Sequence, residues 1–511
     1  MHPSFQKIAR LADLPEERGT RVKVGETPIL LVRQGDSIHA YTADCPHAGG
    51  PLEKGALCNG RIVCPWHKGT FEISDGSLVE PPALQGLQRY ASLIEDGHVY
   101  VSPDVAQADA PALADGTATM LVAGAGAAGA AACVTLREAG FDGRIVLAGT
   151  DAPVPYDRTA LSKFVLSGDM PPGEVPPLFD PSFFTTHRIE RIKSDVTALD
   201  ASRKHADLAD GTTIDYDAAL ICTGGTPQPL DVPGAKLANI HLLRNRDDAS
   251  AIVDALKNCK RAVIVGASFI GLEAASCLRK RDIETIVVAP QKVPFAKQFG
   301  ERIGSMFRQL HERNGVSFRL ERNVSAFEGE RAVQAVMLDN GERIAADVVI
   351  VGTGVKPATS FVSGIALADD GGIDVDSAMR AAPGLFAAGD VARFTLPRST
   401  TRLRIEHWRV AQQHARVAAF NMAGTRRAYE GVPYFWTYHF GKRFDYLGHV
   451  TDPDDVIIDG ELDAQQFIAY LLKDGTVGAV VACEREDQTA RLAEAMRETL
   501  TLDAARAAAK A

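Results

Sequence analysis

Two pairs of metal-ligating residues stand close together near the start of the chain: Cys45-Pro-His47 and, after sixteen intervening residues, Cys64-Pro-Trp-His67. Two thiolates suit one iron of a [2Fe–2S] pair and two imidazoles suit the other. Cys-x-His and Cys-x-x-His on separate loops let each loop donate one ligand to each iron. A Cys2His2 zinc site uses the same donors, but it usually groups both cysteines and then both histidines. The interleaved order here favours the cluster over zinc. Gly49, Gly50 and Pro51 follow the first pair and Gly69 the second, allowing a tight backbone that turns N–H groups toward sulfur. Cys58 stands at neither ligand position and reads as a spare thiol.

Two glycine-rich turns carry the other chemistry. At Leu121-Val-Ala-Gly124-Ala-Gly126-Ala-Ala-Gly129 an apolar strand runs into G-x-G-x-x-G and an Ala-rich helix, a backbone that can approach a pyrophosphate at a helix N-terminus. Asp151 follows roughly 20 residues on, where a ribose-binding carboxylate is expected. Arg158 and Lys163, then Thr223-Gly224-Gly225, then Leu385-Phe-Ala-Ala-Gly389-Asp390 lie downstream. The second turn is Gly266-Ala-Ser268-Phe-Ile-Gly271-Leu-Glu273, with serine at the middle glycine position, and Gly352-Thr-Gly354 follows it near the end of the same unit.

The segment holding the four ligands resembles Rieske ferredoxins and the Rieske domains of ring-hydroxylating oxygenases. It lacks the extra loop cysteines of the respiratory type, and the loops lack the hydroxyl donors linked to high potential. The combined set resembles two-dinucleotide-domain flavoprotein reductases, in particular apoptosis-inducing-factor-like members fused to a Rieske domain and the ferredoxin reductases that serve oxygenases. That resemblance covers nearly the whole chain. It implies that Gly124, Gly126 and Gly129 hold the FAD diphosphate, that Arg158 and Lys163 contact diphosphate and flavin ring, and that Asp390 bonds the ribityl chain. Asp151, Thr223, Gly224, Gly389 and His407 complete the FAD set, while Gly266, Ser268, Gly271, Glu273 and Gly354 form the nicotinamide site. Lys163, Glu273, Glu406 and Trp436 are the candidate catalytic residues around the flavin. One departure stands out. Relatives often carry Glu or Asp at the end of the next strand, for the adenosine 2′-hydroxyl, whereas Ile286-Val-Val-Ala289-Pro-Gln-Lys292 offers alanine. NADH remains the expected donor because no arginine follows in that loop, and NADPH stays open.

Elements must position these groups, and the pattern implies four units. Short alternating stretches such as Ile29–Val32 and Ile38–Tyr41, with Asp75-Gly76 and Asp96-Gly97 turns, predict an all-β Rieske domain over 1–103. A linker over 104–117, rich in Ala, Asp and Pro, is long enough to permit docking in cis. Apolar runs alternating with amphipathic stretches then predict two α/β Rossmann-like domains, FAD-binding at 118–238 and 365–428 with NAD(P)-binding at 239–364 inserted. An aromatic cluster opens a C-terminal α+β interface domain at 429–511, whose last residues, DAARAAAKA, read as a solvated helical tail. His407 and His414, seven apart, read as one face of an amphipathic helix rather than an iron site.

At 511 residues with net charge −10, the chain suits a multidomain protein that binds neither nucleic acid nor an anionic membrane. Eight cysteines are too sparse for a disulfide framework, which with no secretory signal points to the cytoplasm. The expected activity is electron transfer from NAD(P)H through FAD to the chain's own [2Fe–2S] Rieske cluster. From there electrons pass to a separate one-electron acceptor, an oxygenase, ferredoxin or cytochrome. A nicotinamide-responsive redox sensor with little turnover is the alternative. A monomer or homodimer is expected.

Overall fold

The structure, a computed structural model, describes residues 5–106, 116–151 and 153–510. The N-terminal domain is all-β. Six antiparallel strands run in the order Gln6–Arg10, His98–Val105, Arg89–Glu95, Ser37–Thr42, Thr27–Gln34, Thr20–Val24. A smaller four-stranded sheet, Ala56–Cys58 to Leu78–Glu80, carries the ligand loops. Strand His98–Val105 runs past the domain boundary expected at residue 103, and most of the expected linker lies outside the described residues.

The next unit is a parallel sheet whose central strand, Thr119–Ala123, pairs with Arg144–Ala148 on one side and Ala218–Ile221 on the other. Met120 to Ala123 are all buried, in a core that joins Ala131 and Ala415 of two helices to Leu199, Ala206 and Ile214 of a separate sheet. Strand Leu385–Ala387 then joins the same sheet beside Ala218–Ile221. A second parallel sheet, centred on Arg261–Val265 and Val348–Val351, is therefore inserted into the first unit. Both sheets place their glycine turns at the C-terminal ends of their central strands, where open α/β sheets bind ligands.

The C-terminal unit is a five-stranded antiparallel sheet with two helices. One expectation is overturned here. The helix Leu502–Lys510 is docked rather than solvated: Ala505 and Ala509 are buried among Ile468, Tyr470 and Leu492, and Arg506 pairs with Asp459 at 2.8 Å. Alanines four apart form a smooth stripe that lets the helix approach closely. Each is too weakly apolar to mark a buried face in the sequence.

Candidate functional site

The two ligand loops are built alike. In the first, the Cys45 N–H donates to the Gly50 carbonyl at 2.8 Å and the Gly49 N–H to the Cys45 carbonyl at 2.9 Å. In the second, the Cys64 N–H donates to Gly69 at 2.8 Å and the Lys68 N–H to Cys64 at 3.2 Å. Facing each other, they bring Nδ1 of His47 to 3.1 Å from Nδ1 of His67 and the two cysteine sulfurs into mutual contact. Among the described residues no three ligating side chains converge on one point. Two pairs are instead what a two-iron cluster takes. The local chemistry fits it: the contact between the two sulfurs pushes one thiol, Cys64, down and its partner Cys45 up, so the pair gives up a first proton readily, helped at Cys64 by the N–H groups of His67 and Trp66. Burial keeps the His47 and His67 imidazoles neutral, the form that ligates. A Cβ on Gly50 would stand 2.8 Å from the Cys64 sulfur, so glycine there leaves that sulfur room.

All the FAD candidates except Gly129 line one cleft of about 900 Å³; Gly129 packs behind the turn, where a Cβ would stand 1.9 Å from the Gly124 carbonyl. Gly124, at φ 120°, could not carry a side chain, since its Cβ would meet the Cys222 carbonyl at 2.3 Å, whereas Gly126 faces open space. That is a cradle for a diphosphate at the start of helix Ala127–Glu138. Asp151 and Arg158 line the cleft and pair at 2.6 Å. Asp390, in the short turn Gly389–Val391, is held by Arg244 at 3.0 Å. Thr223 bonds the Ala358 carbonyl at 2.7 Å, tying the FAD-type unit to the chain leaving the inserted one. The indole N–H of Trp408 is buried in the cleft wall with no partner among the described residues. Donor, glycine cradle and acidic groups together fit a dinucleotide flavin.

His407 precedes the helix Trp408–Met422 and lines the cleft, its imidazole pushed down to about 3 by burial. His414 is instead fully buried, its Nδ1 accepting the Gly389 N–H at 3.4 Å. The two do not share an exposed face, and His414 supports the glycine turn. Glu406, with 39 % of its side chain exposed, bonds Arg404 at 2.9 Å at the cleft mouth. Desolvation and Asp390 nudge its carboxyl upward.

The second turn has a feature the spacing did not reveal. Ser268 is the N-cap of helix Phe269–Lys280: its hydroxyl accepts the Gly271 N–H at 3.2 Å and donates to the Gly352 carbonyl at 2.8 Å. Serine at a glycine position thus caps the helix that a phosphate would face. Gly354, at φ 118°, opens onto the same cleft. Ala289 is buried at the end of strand Glu284–Ala289, and Lys292 is drawn off to Glu301 at 3.2 Å. Arg322, just past the end of the neighbouring strand, donates its backbone N–H to the Ala289 carbonyl at 3.2 Å. Only folding brings it there, and no local pattern marks it.

Between the two turns lies a buried polar cluster. The Glu273 carboxylate, 3 % exposed, accepts from Ser162 at 2.5 Å, Lys163 at 3.1 Å and Thr437 at 2.6 Å. The Lys163 ammonium also lies 4.8 Å from the centre of the Trp436 ring. Trp436 in turn is 5.3 Å from the ring of His67. A candidate cluster ligand therefore meets an aromatic wall of the flavin cleft.

That meeting is held by an interdomain seam. Arg409 donates to the carbonyls of Pro81 at 2.6 Å, Lys68 at 3.0 Å and Val432 at 2.9 Å. Glu80 takes Gln413 at 2.6 Å and Arg497 at 2.7 Å. The Tyr434 hydroxyl lies 2.9 Å from the Trp66 carbonyl. On the loops' outward side Ala48, Gly49 and Trp66 are exposed.

Comparison with known proteins gives three matches along the chain. Residues 4–91 match the Rieske [2Fe-2S] domain, 118–415 the pyridine nucleotide-disulphide oxidoreductase family and 434–511 the reductase C-terminal domain. The chain is 35 % identical to human "Apoptosis-inducing factor 3" over 96 % of its own length and 83 % of that protein. It is 34 % identical to the "Biphenyl dioxygenase system ferredoxin–NAD(+) reductase component" of Paraburkholderia xenovorans, over 71 % of this chain and 89 % of the other. Among solved structures, the covalent putidaredoxin reductase–putidaredoxin complex aligns with TM-score 0.72 at 28 % identity, covering 77 % of this chain and 99 % of that one.

Proposed function

Because the chain belongs to the pyridine nucleotide-disulphide oxidoreductase family and also carries Rieske and reductase C-terminal domains, we propose that it is a self-contained relay. Electrons from NAD(P)H would reach its own Rieske cluster through FAD and leave to a separate one-electron acceptor protein, an oxygenase, ferredoxin or cytochrome. It is an NAD(P)H-dependent flavin oxidoreductase of the ferredoxin-reductase type. The observation that carries the relay is the contact of His67 with Trp436, whose ring also lies against Lys163. When bound, the flavin takes two electrons as hydride and the cluster passes them on singly.

The chain's own residues do the placing. Gly124 and Gly126 let the backbone cradle a diphosphate. The Ser162, Lys163 and Thr437 donors hold Glu273 in one orientation, with the Lys163 ammonium beside it against the Trp436 ring. His67 and Trp436, in ring contact, join the ligand loop to the wall of the cleft. Disulfide chemistry is not favoured by the wall: among the described residues, Cys222 is the only cysteine lining the cleft, and burial pushes its thiol far up. Anaerobic mixing with NADH tests the relay. Flavin bleaching should be followed by cluster reduction at a rate independent of protein concentration. A rate that scales with concentration overturns transfer within one chain.

For the nicotinamide, we infer a modest preference for NADH. Ala289 supplies no carboxylate to repel a 2′-phosphate, and Lys292 is engaged by Glu301. Ala289→Glu should raise discrimination against NADPH by like-charge repulsion. It should change kcat/KM for NADH by no more than the roughly 0.5–1.5 kcal/mol of one hydrogen bond. A wild type strongly preferring NADPH would direct attention to Arg322 as the phosphate ligand. Unchanged discrimination in the variant would mean that position 289 does not face the ribose.

A further inference from the structure

We propose that Lys68 is a docking pin that holds the Rieske domain on the reductase permanently, so that the cluster loop stays fixed beside the flavin cleft rather than acting as a shuttle. This rests on the relay reading and goes beyond it. A relay in one chain could equally run by a swinging domain, since the chain between the domains places no demand on docking.

The observations begin at the backbone. Lys68 has φ 58°, a left-handed conformation that favours glycine and is unfavourable for a side chain. A lysine kept there implies that its side chain does something glycine could not. The side chain is fully buried, at 0 % exposure, which is rare for lysine unless it is paired. Its ammonium crosses the domain boundary to Asp445 at 2.8 Å, on a strand of the C-terminal unit, and donates to the carbonyls of Pro65 at 2.5 Å and Glu486 at 3.3 Å.

The socket is as complete as the pin. The Asp445 carboxylate also accepts from Arg443 at 2.9 Å and Thr489 at 2.9 Å, and lies 3.0 Å from the Tyr434 hydroxyl. Only 4 % of the Asp445 side chain is exposed. Parting the seam would exchange the direct contacts of Lys68 with Asp445, and of Glu80 with Arg409 on the far side, for water, and would take from Asp445 the cation that reaches it from the other domain. A mobile electron carrier is expected to use a small, wet, exchangeable interface. This seam is instead made of charged groups, Lys68 with Asp445 and Glu80 with Arg409 and Arg497, that pair across it.

Hydrogen exchange of the oxidised holoprotein reads docking without turnover. Wild type should protect the seam-facing amides around Val432–Trp436, and Lys68→Met should speed their exchange by at least about tenfold. Flavin-to-cluster transfer should be insensitive to added glycerol in wild type. In the variant it should slow with viscosity, as a diffusing domain would. If Lys68→Met loses its cluster spectrum, Asp445→Asn tests the same pair without touching the ligand loop, with the same expected changes. Wild-type transfer that falls in proportion to viscosity, or exchange unchanged in Asp445→Asn, overturns the pin. Absence of any flavin-to-cluster transfer in a protein with protected seam amides would instead overturn the relay and leave the pin standing.

Discussion

His67→Ala is expected to abolish reduction of one-electron acceptors while leaving flavin bleaching by NADH within about twofold of wild type. His67 stands at the meeting point of two systems, as one of the paired imidazoles 3.1 Å apart and as the ring that touches Trp436. Its loss leaves one imidazole where an iron needs two. The effect on acceptor reduction should exceed the roughly 10–100-fold that outer-shell changes at metal sites cause. The cleft proposed for hydride transfer lies between the glycine turns, and His67 is not among its lining residues. Stopped-flow absorbance for the bleaching, with electron paramagnetic resonance for the cluster, separates the two. Loss of both steps would mean that the ligand loop shapes the flavin site itself, and the two halves would not be separable stages.

Glu273→Leu should produce the second large effect, on stability and hydride transfer together. Three donors end on this carboxylate, and one is the Lys163 ammonium, itself 8 % exposed. Leucine would strand a buried cation and two hydroxyls, at a cost of about 3–5 kcal/mol for breaking a buried pair. With the inserted unit and the FAD-type unit both contributing to the cluster, the first thermal transition should fall by about 10 °C. Glu273→Gln keeps the shape and the acceptor oxygen, and should recover much of the stability without recovering the charge. If the leucine variant melts at the wild-type temperature, Lys163 has another way to shed its charge, and the pair is not what fixes this wall. Slower bleaching in the glutamine variant, with wild-type melting, would assign the carboxylate's charge to the hydride step.

What the sequence determined by itself was whatever depends on near neighbours. Cys45 to His67 are close in the chain, and their order already separates a two-iron cluster from a zinc finger. Each glycine turn is a strand, a tight bend and a helix start within a dozen residues, so its spacing is its geometry. The division into Rieske, flavin, nicotinamide and C-terminal units followed from hydrophobic period and turn residues for the same reason.

Only the tertiary structure decided what depends on distant residues meeting. Lys68 finds Asp445, Glu273 finds Thr437, and His67 finds Trp436, each pair joined from different domains by packing that no local pattern encodes. In the sequence Ser268 is only a serine at a glycine position; the fold makes its hydroxyl a helix cap that also reaches Gly352. The terminal alanines looked idle until a sheet was there to receive them. A burial pattern records which residues leave water. It does not record against which partner, and in this protein the partner sets both the charge balance at the flavin wall and the place of the cluster beside it.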